Sequence, residues 1–253
     1  MKFVLNRIPR PALIKLSLAV RPLTDLVFEG NKFTDPINGK SYSRFLPYGY
    51  GKPRQNALSP GTLSLERHRQ MWLYLQRETD FFSQKLKVLH IAPEQEFLRK
   101  FRKMPNLNYI SADLFSPIVD VKADILDLPF ENSSFDVVFC NHVLEHIADD
   151  HKAMREIFRV LKPGGWGILQ VPMKTSLEVT YEDFSITEPA ERQKHFGQYD
   201  HVRWYGMDYF DRLRSVGFKA EPIYYSKTFS KDEIRRYGLI ENEILPVVRK
   251  PEN

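Results

Sequence analysis

The sequence predicts an α/β fold in which helices cover both faces of a doubly wound, mostly parallel sheet. Val137–Cys140 is a short apolar run, the pattern of a strand buried on both faces. His151–Leu161 then places apolar side chains at helical spacing, and Gly164 and Gly165 are expected to end that helix. Trp166–Val171 is a second apolar strand. A strand–helix–strand unit of this kind has a right-handed crossover, which makes the two strands parallel.

Similar patterns predict the other elements of the chain. Strands are expected at Lys87–Ile91, Leu107–Ala112, Val121–Ala123, Phe218–Tyr225 and Glu243–Arg249. Helices are expected at Ser64–Asp80, at Asp208–Val216, and from a capping box of Ser230 and Glu233 to Gly238. Ser64 is the expected N-cap of the first of these helices.

Composition separates an N-terminal accessory region, residues 1–63, from a main domain, residues 64–253. Within the accessory region, Gly30–Gly61 is rich in Gly, Pro, Asn, Ser and Tyr and has no sustained periodicity, which is typical of compact, loop-rich structure. Residues 174–205 form an insertion that is too long for a simple connection between elements. Connections of this length usually carry function or are disordered, and the many aromatic residues here argue against disorder.

The first 21 residues contain five basic side chains and no acidic one. A short helix is expected between Pro11 and Pro22. We expect this helix to pack on its own domain; the alternative is a weak contact with an anionic membrane surface.

The composition of the whole chain excludes several classes of protein. The net charge is +5, from 37 basic and 32 acidic residues, so specific nucleic-acid binding is not expected. The single cysteine, Cys140, lies in a predicted core strand, which excludes a disulfide framework and a cysteine zinc site. No apolar stretch is long enough to span a bilayer, and no signal cleavage site is found, so a cytoplasmic enzyme is the default expectation. No pattern indicates the oligomeric state.

Polar side chains follow three of the predicted strands. Asn141 and His142 end the strand at Val137–Cys140, and Asp113 and Asp124 follow the strands before it. Either carboxylate alone could be a turn or cap residue. Because parallel strands end at one edge of a sheet, where ligands bind in open α/β folds, the group together favours a binding site.

The first strand is followed by a turn that lacks glycine, Ala92-Pro93-Glu94. A dinucleotide needs glycines here so that backbone amides can approach its phosphates, and a nicotinamide oxidoreductase is therefore disfavoured. Asp113 lies about 20 residues beyond the turn, where an acidic side chain accepts hydrogen bonds from ribose hydroxyls. A cationic ligand with ribose, adenine and no phosphate fits this pattern, and S-adenosylmethionine is such a ligand.

The segments KVLHIAPE, LNYISADL, ADILDLPF, FDVVFCNHVLEHI and RVLKPGGWGIL carry a family resemblance over roughly Leu86–Val171. This region resembles the class I S-adenosylmethionine-dependent methyltransferases, near the methyltransferase type 11 group. The resemblance implies a Rossmann-like, seven-stranded sheet. It also implies transfer of a methyl group from S-adenosylmethionine to an unidentified, small-molecule acceptor, with S-adenosylhomocysteine as product.

The resemblance also implies roles for residues at the sheet edge. Asp113 would hold the ribose hydroxyls, while Asp124 and Ile125 would contact adenine through its amino group and a backbone amide. Asn141 and His142 would face the methionine and sulfonium end. The full expected set of cofactor-binding residues is Arg69, His90, Ala92, Glu94, Asp113, Leu114, Asp124, Ile125, Asn141 and His142.

The first turn departs from the family pattern. Where the family has an acidic residue and then glycines, this chain has His90, Ala92, Pro93 and Glu94. Glu94 is expected to bind the cofactor's ammonium group. Arg69, in the helix before the first strand, is expected to pair with a carboxylate of the ligand.

A second resemblance lies upstream of that helix. Asp35-Pro-Ile-Asn38 and Ser59-Pro-Gly-Thr62, followed by LSLERHR, resemble relatives that carry paired CxxC motifs before a similar LERHR helix. Without thiolates a structural zinc site is not expected. We therefore predict a metal-free remnant of a zinc-ribbon region, held by side-chain hydrogen bonds and turns, and no metal in the protein.

Methyl transfer to an oxygen or nitrogen atom that carries a proton also needs a base, and His142 and His201 are the candidates.

We predict that residues 174–205 cover the methyl end of the cofactor, with His201 and Arg203 pointing inward between Tyr199 and Trp204. The alternative is that the aromatic side chains only pack this segment while both basic side chains remain in solvent.

Two functions of different class remain after this sequence reading. The first is a methyltransferase that acts on a small or medium-sized acceptor. The second is a non-catalytic protein that binds S-adenosylmethionine or uses the fold as a scaffold, which the unusual first turn suggests. Measuring the equilibrium binding of S-adenosylmethionine discriminates between them, because a folded protein that does not bind it would favour the scaffold function.

Overall fold

The computed structural model describes residues 23–49 and 53–252, and the chain divides into two compact units. One unit runs up to Thr79 and includes Tyr224–Glu243; the other comprises Asp80–Ile223 and the residues from Ile244 onward. The helix that follows the predicted boundary between residues 63 and 64 lies in the first of these units. The helix expected between Pro11 and Pro22 lies outside the described residues.

The elements are numbered here in chain order. The strands are β1 (Glu29–Thr34), β2 (Ser41–Tyr42), β3 (Leu46–Tyr48), β4 (Arg54–Leu58), β5 (Leu86–Ile91), β6 (Leu107–Asp113), β7 (Val121–Lys122), β8 (Phe135–Cys140), β9 (Leu161–Ile168), β10 (Tyr181–Glu182), β11 (Arg203–Trp204), β12 (Lys219–Ile223) and β13 (Leu245–Arg249). The helices are α1 (Glu66–Glu78), α2 (Gln95–Phe101), α3 (Asp150–Val160), α4 (Pro189–Phe196), α5 (Tyr209–Ser215) and α6 (Lys231–Tyr237). Within the described part of the chain, each helix is too short or too polar to cross a bilayer.

The second unit is built on one sheet of seven strands. Their order is β12-β13-β9-β8-β5-β6-β7. Strands β5 to β9 pair in parallel, and β13 is antiparallel to both of its neighbours, β9 and β12. This topology confirms the predicted doubly wound, mostly parallel, seven-stranded sheet.

The core of this unit forms where apolar strands meet the buried face of α3. Val137–Cys140 in β8 is fully buried, as are Val88 and Leu89 in β5. Helix α3 starts at its N-cap Asp149, whose carboxylate accepts a hydrogen bond from the Lys152 amide at 2.8 Å. The buried area of these apolar side chains supplies the main driving force for folding of the unit.

The end of α3 differs from the prediction. The helix stops at Val160, and β9 begins at Leu161 rather than at Trp166. Gly164 and Gly165 therefore lie inside the strand and do not cap the helix. The physical reason is Pro163, because the residue before a proline disfavours the helical conformation.

In the first unit, α1 is anchored by a buried arginine. Arg69 is fully buried, and its guanidinium donates to the carbonyls of Ala57, Ser64, Tyr237 and Gly238 at 2.6–3.0 Å. Burial lowers the pKa of Arg69 to about 10, so the group still carries its charge at neutral pH. The expected role of Arg69 in binding a ligand carboxylate is therefore corrected, since its donors already bind backbone carbonyls.

Two turns that precede α1 are joined by a buried carboxylate. Asp35 accepts hydrogen bonds from the hydroxyls of Thr62 and Ser64 and from the amide of Ile37. The expected side-chain hydrogen bonds between the turns are thus present. Ser64 is not the helix N-cap as predicted, because its hydroxyl binds Asp35 and the N-cap is Leu65.

The capping box predicted for α6 is confirmed. The Ser230 hydroxyl accepts from the Glu233 amide at 3.2 Å, and the Glu233 carboxylate accepts from the Ser230 amide at 3.0 Å. Gly238 closes the helix with a left-handed φ of 56°, which favours glycine.

Replacing Arg69 with lysine should destabilise the first unit. Lysine keeps the charge but cannot reach four carbonyls, so backbone acceptors are left unpaired in the interior. We expect the free energy of unfolding to fall by about 2–4 kcal/mol, measured by urea denaturation. The control is Arg235→Lys, because Arg235 has a side chain that is 75% exposed. Equal midpoints for wild type and Arg69→Lys would contradict this role.

Candidate active site

The register of the sheet brings the predicted site residues to one edge. Ile91 in β5 pairs with Ala112 in β6 and with Cys140 in β8, so these three strands end at the same level. Asp113 pairs with Lys122, just before Asp124. The polar residues that follow these strands therefore lie, as predicted, at the carboxyl edge of the sheet, where open α/β sheets bind ligands.

Glu94 is held at this edge by two side chains. The His90 Nε2 lies 2.9 Å from one Glu94 oxygen, and the Asn141 amide donates to the other at 3.1 Å. The other His90 nitrogen, Nδ1, lies 2.9 Å from the Tyr109 hydroxyl. The Glu94 carboxylate can only accept a hydrogen bond, so His90 Nε2 carries the proton that it donates to Glu94. Burial raises the pKa of Tyr109, and its protonated hydroxyl can donate to Nδ1.

His90 itself is fully buried, and both of its nitrogens are occupied. The expected direct contact between His90 and a cofactor is therefore corrected. The ring would act on a ligand only through Glu94, as a positioning residue.

Two non-glycine residues at the edge adopt left-handed backbone conformations. Ala92 has a φ of 47° and His142 a φ of 55°. These conformations cost roughly 1–2 kcal/mol each for such residues and persist where the surroundings fix them. The amide of Ala92 donates to Ala112 and that of His142 to Gln170, which holds both turns against neighbouring strands.

Asp113 uses one carboxylate oxygen in its own turn. That oxygen accepts from the amides of Phe115 and Ser116 at 2.7 and 2.6 Å. The second oxygen has no hydrogen bond to any residue in the described ranges, and Asp113 is only half-buried. Leu114 beside it is 38% exposed.

The end of the next strand has a similar turn. Asp124 is exposed, and its carboxylate accepts a hydrogen bond from the Leu126 amide. Ile125, between them, is buried.

A second group of polar side chains follows His142. His142 Nδ1 lies 3.2 Å from one oxygen of Glu145, which is only 1% exposed. The other Glu145 oxygen is buried and has no hydrogen-bond partner among the described residues. The rings of His146 and His201 meet edge to face, with centroids 4.8 Å apart.

His201 lies in an environment that keeps it neutral. Burial is the largest effect on the His201 imidazole and lowers its pKa. The charge of Glu145 opposes this shift and the neighbouring His146 adds to it, so that the pKa remains below its ordinary value. Its Nδ1 lies 3.2 Å from the Phe196 carbonyl, so this nitrogen carries the proton.

Arg203 holds the segment that carries His201. Its guanidinium donates to the carbonyls of Leu144, Ile147 and Ala148 and forms an ion pair with Glu182 at 2.7 Å. The inward direction predicted for Arg203 is thus present, but its donors bind the protein itself. Arg203 and His201 are both buried, which contradicts the alternative that they lie in solvent.

Glu145 and His146 were not among the predicted site residues. Both residues stand in the LEH segment of the motif that follows β8, so the sequence did contain them. Their grouping with His201 could not be predicted, because His201 is distant in sequence. Tyr199, predicted to flank His201, is 59% exposed, whereas Trp204 does lie edge-on to the His201 ring.

The strand order of the seven-stranded sheet places the second unit in the Rossmann-like class of α/β folds. Residues 77–169 match the model of the family described as Methyltransferase domain, of type 11. The resemblance found in the sequence is thereby confirmed.

Curated relatives match the chain over the same region. A sterol 4-C-methyltransferase, strm-1 of Caenorhabditis elegans, is 35% identical over 95 residues, which cover 38% of this chain and 27% of that protein. A ubiquinone/menaquinone biosynthesis C-methyltransferase, UbiE of Vibrio campbellii, is 47% identical over 69 residues, 26% of this chain and 27% of the relative. The chain thus covers less than a third of the length of these relatives.

A solved structure shows the same fold over more of the chain. It is a protein of Galdieria sulphuraria provisionally assigned as a sarcosine dimethylglycine methyltransferase. The TM-score is 0.51, with 13% sequence identity over 89% of this chain and 93% of that one. At this identity the likeness establishes the fold and nothing about the substrate.

The ion pairs that fix the His201 segment should make stability depend on pH. Burial alone would raise the pKa of Glu182, but hydrogen bonds from Arg212 and Arg203 outweigh it and hold the pKa below its ordinary value. A carboxylate with a lowered pKa in the folded state stabilises the protein above its unfolded pKa, about 4.3, and this contribution is lost as pH falls through the folded value.

We therefore expect Glu182→Gln to be less stable than wild type near neutral pH, and the difference to shrink as the pH falls below about 4. Urea unfolding across this range measures both effects. The control is Glu221→Gln, because Glu221 has a side chain that is 81% exposed and should give a small difference at every pH. A difference for Glu182→Gln that stays constant with pH would contradict the prediction.

Proposed function

We propose that the protein is an S-adenosylmethionine-dependent methyltransferase that acts on a small or medium-sized molecule. The observation that carries the proposal is Asp113 at the end of β6. One of its oxygens is fixed by the following turn, and the other is left to accept hydrogen bonds from a ligand. Its place in a domain of the methyltransferase family supports ribose hydroxyls as the donors.

The chemistry of the edge fits a nucleoside without phosphate. Pro93 has no amide hydrogen and Glu94 brings negative charge to the first turn, both unfavourable for a phosphate. Asp124 and the backbone amide of Ile125 would contact the adenine, and exposed Leu114 would pack against it. The position of Asp124 at the end of the neighbouring strand supports this assignment.

The amino-acid end of the cofactor would lie at the first turn. Glu94 is positioned there by His90 and Asn141, and the left-handed turn at Ala92 would let the chain approach the ligand. A fixed carboxylate would bind the cofactor's ammonium group. S-adenosylmethionine, when bound, supplies an electrophilic methyl group on its sulfonium centre.

His142 would serve as the general base. Its Nδ1 donates to the Glu145 carboxylate, which leaves a lone pair on Nε2, and the side chain is 29% exposed. A carboxylate that orients the imidazole in this way also stabilises the charge that the ring gains when it accepts a proton. His142 is therefore favoured as the base over His201, which is 6% exposed. Residues 174–205, which contain His201, would form the wall of the acceptor site.

Asp113→Asn is a sharp test of the ribose assignment. The asparagine oxygen can still accept from the Phe115 and Ser116 amides, so the turn is preserved, while an amide nitrogen replaces the second carboxylate oxygen. Removing charge-assisted hydrogen bonds of about 1.5–3 kcal/mol should weaken S-adenosylhomocysteine binding at least about tenfold. Calorimetric titration measures the dissociation constant.

The matched control is Asp232→Asn, which removes one charge from a side chain that is 92% exposed in α6 and should leave the dissociation constant unchanged. An unchanged constant for a folded Asp113→Asn protein would refute the ribose assignment. Failure of the folded wild type to bind S-adenosylhomocysteine would refute the methyltransferase proposal itself. Release of S-adenosylhomocysteine from S-adenosylmethionine in the presence of small phenols, amines or carboxylates would then report transfer.

A further inference from the structure

Three side chains beside His142 converge on one point. Glu145, His146 and His201 each offer a ligand atom, and these atoms lie within 4.8 Å of one another. The residues come from two segments, the turn after β8 and the chain before β11. Two imidazoles and a carboxylate are a ligand set that divalent transition metals bind in proteins.

Both imidazoles are already oriented for metal binding. The Nδ1 of His146 lies 3.2 Å from the Asp200 carbonyl, and that of His201 lies 3.2 Å from the Phe196 carbonyl. A backbone carbonyl can only accept a hydrogen bond, so Nδ1 carries the hydrogen in each ring and Nε2 keeps the lone pair. Metal-binding histidines are held in this tautomer by the same kind of hydrogen bond.

Glu145 provides an independent indication of a cation. The residue is 1% exposed, yet one of its oxygens makes no hydrogen bond within the described ranges of the chain. A buried carboxylate oxygen without a partner is costly, and a bound cation removes that cost. The other oxygen accepts from His142, which fixes the orientation of the carboxylate.

The backbone around the three residues is also held in place. The amide of Val202 donates to the Glu145 carbonyl at 2.9 Å. Arg203 binds three carbonyls of the turn that carries Glu145 and His146. The two segments are therefore fixed to each other next to the ligand atoms, which lowers the entropy cost of binding an ion.

We propose that Glu145, His146 and His201 bind one divalent transition-metal ion, with zinc as the reference ion. Tetrahedral zinc places ligands about 3.4 Å apart at bond lengths of about 2.1 Å, so small side-chain rotations would close the site. Magnesium is disfavoured because it prefers oxygen ligands.

Three protein ligands leave a coordination position open, which suits a hydroxyl oxygen. This step rests on the proposed function: a hydroxyl acceptor bound there would lose its proton to His142 more readily, and its oxygen would form a bond to the methyl carbon as the carbon–sulfur bond breaks. The inferred substrate class is therefore an alcohol or a phenol.

The test is calorimetric titration of zinc chloride into the full chain, without a purification tag and after treatment with a chelator. Wild type should bind one zinc ion per chain with saturation. Glu145→Gln keeps an acceptor for His142 but removes the charged ligand oxygen, and should weaken binding at least tenfold. The double variant His146→Asn, His201→Asn keeps donors for the backbone carbonyls and should abolish binding.

The control is His195→Asn, which removes an exposed histidine of α4 that is bonded to Tyr181 and should leave zinc affinity unchanged. Absence of a saturable site in wild type, or equal affinity in wild type and the double variant, would overturn the proposal. Titration with S-adenosylhomocysteine in parallel separates the two ideas. A protein that binds zinc but not S-adenosylhomocysteine would contradict the proposed function alone. A protein that binds S-adenosylhomocysteine but not zinc would contradict the metal site alone.

Discussion

Arg203 joins two segments of the candidate site, because its guanidinium donates to the turn that follows β8. One planar guanidinium reaches the carbonyls of Leu144, Ile147 and Ala148, and an acceptor that loses its donor in a partly buried turn is costly. Its charge is compensated by Glu182 and, at 3.7 Å, by Asp150. The turn that carries Glu145 and His146 is thereby joined to the chain that carries His201.

The sheet and its edge could be predicted from sequence because their causes are local. A strand buried on both faces must be apolar throughout, and Val137–Cys140 shows that pattern without any tertiary information. Parallel pairing then places strand ends side by side, so Asp113 and Asn141 could be assigned to one edge from their positions alone.

The remaining features depend on partners that the sequence does not reveal. A buried arginine binds whichever carbonyls the fold leaves unpaired, so Arg69 looked like a ligand-binding residue until its acceptors at Tyr237 and Gly238 were known. Glu145 and His201 are neighbours only because the segment 174–205 returns to the turn after β8. The expectation of no metal rested on the missing thiolates in the two turns before α1, and it did not consider these residues. The glycines after α3 were misassigned because Pro163 had already ended the helix.

The turn after β5 shows how a departure from a family pattern can be consistent with the same ligand. Glycine normally supplies a left-handed turn at no steric cost, whereas Ala92 adopts it at φ 47° with a penalty of roughly 1–2 kcal/mol. A phosphate would need amide donors here, but a sulfonium nucleoside has no phosphate to bind. Under the proposed function, the useful group at this position is an anion, which would bind the ligand's ammonium. Glu94 meets that need, since His90 and Asn141 hold its two oxygens in one orientation before any ligand arrives.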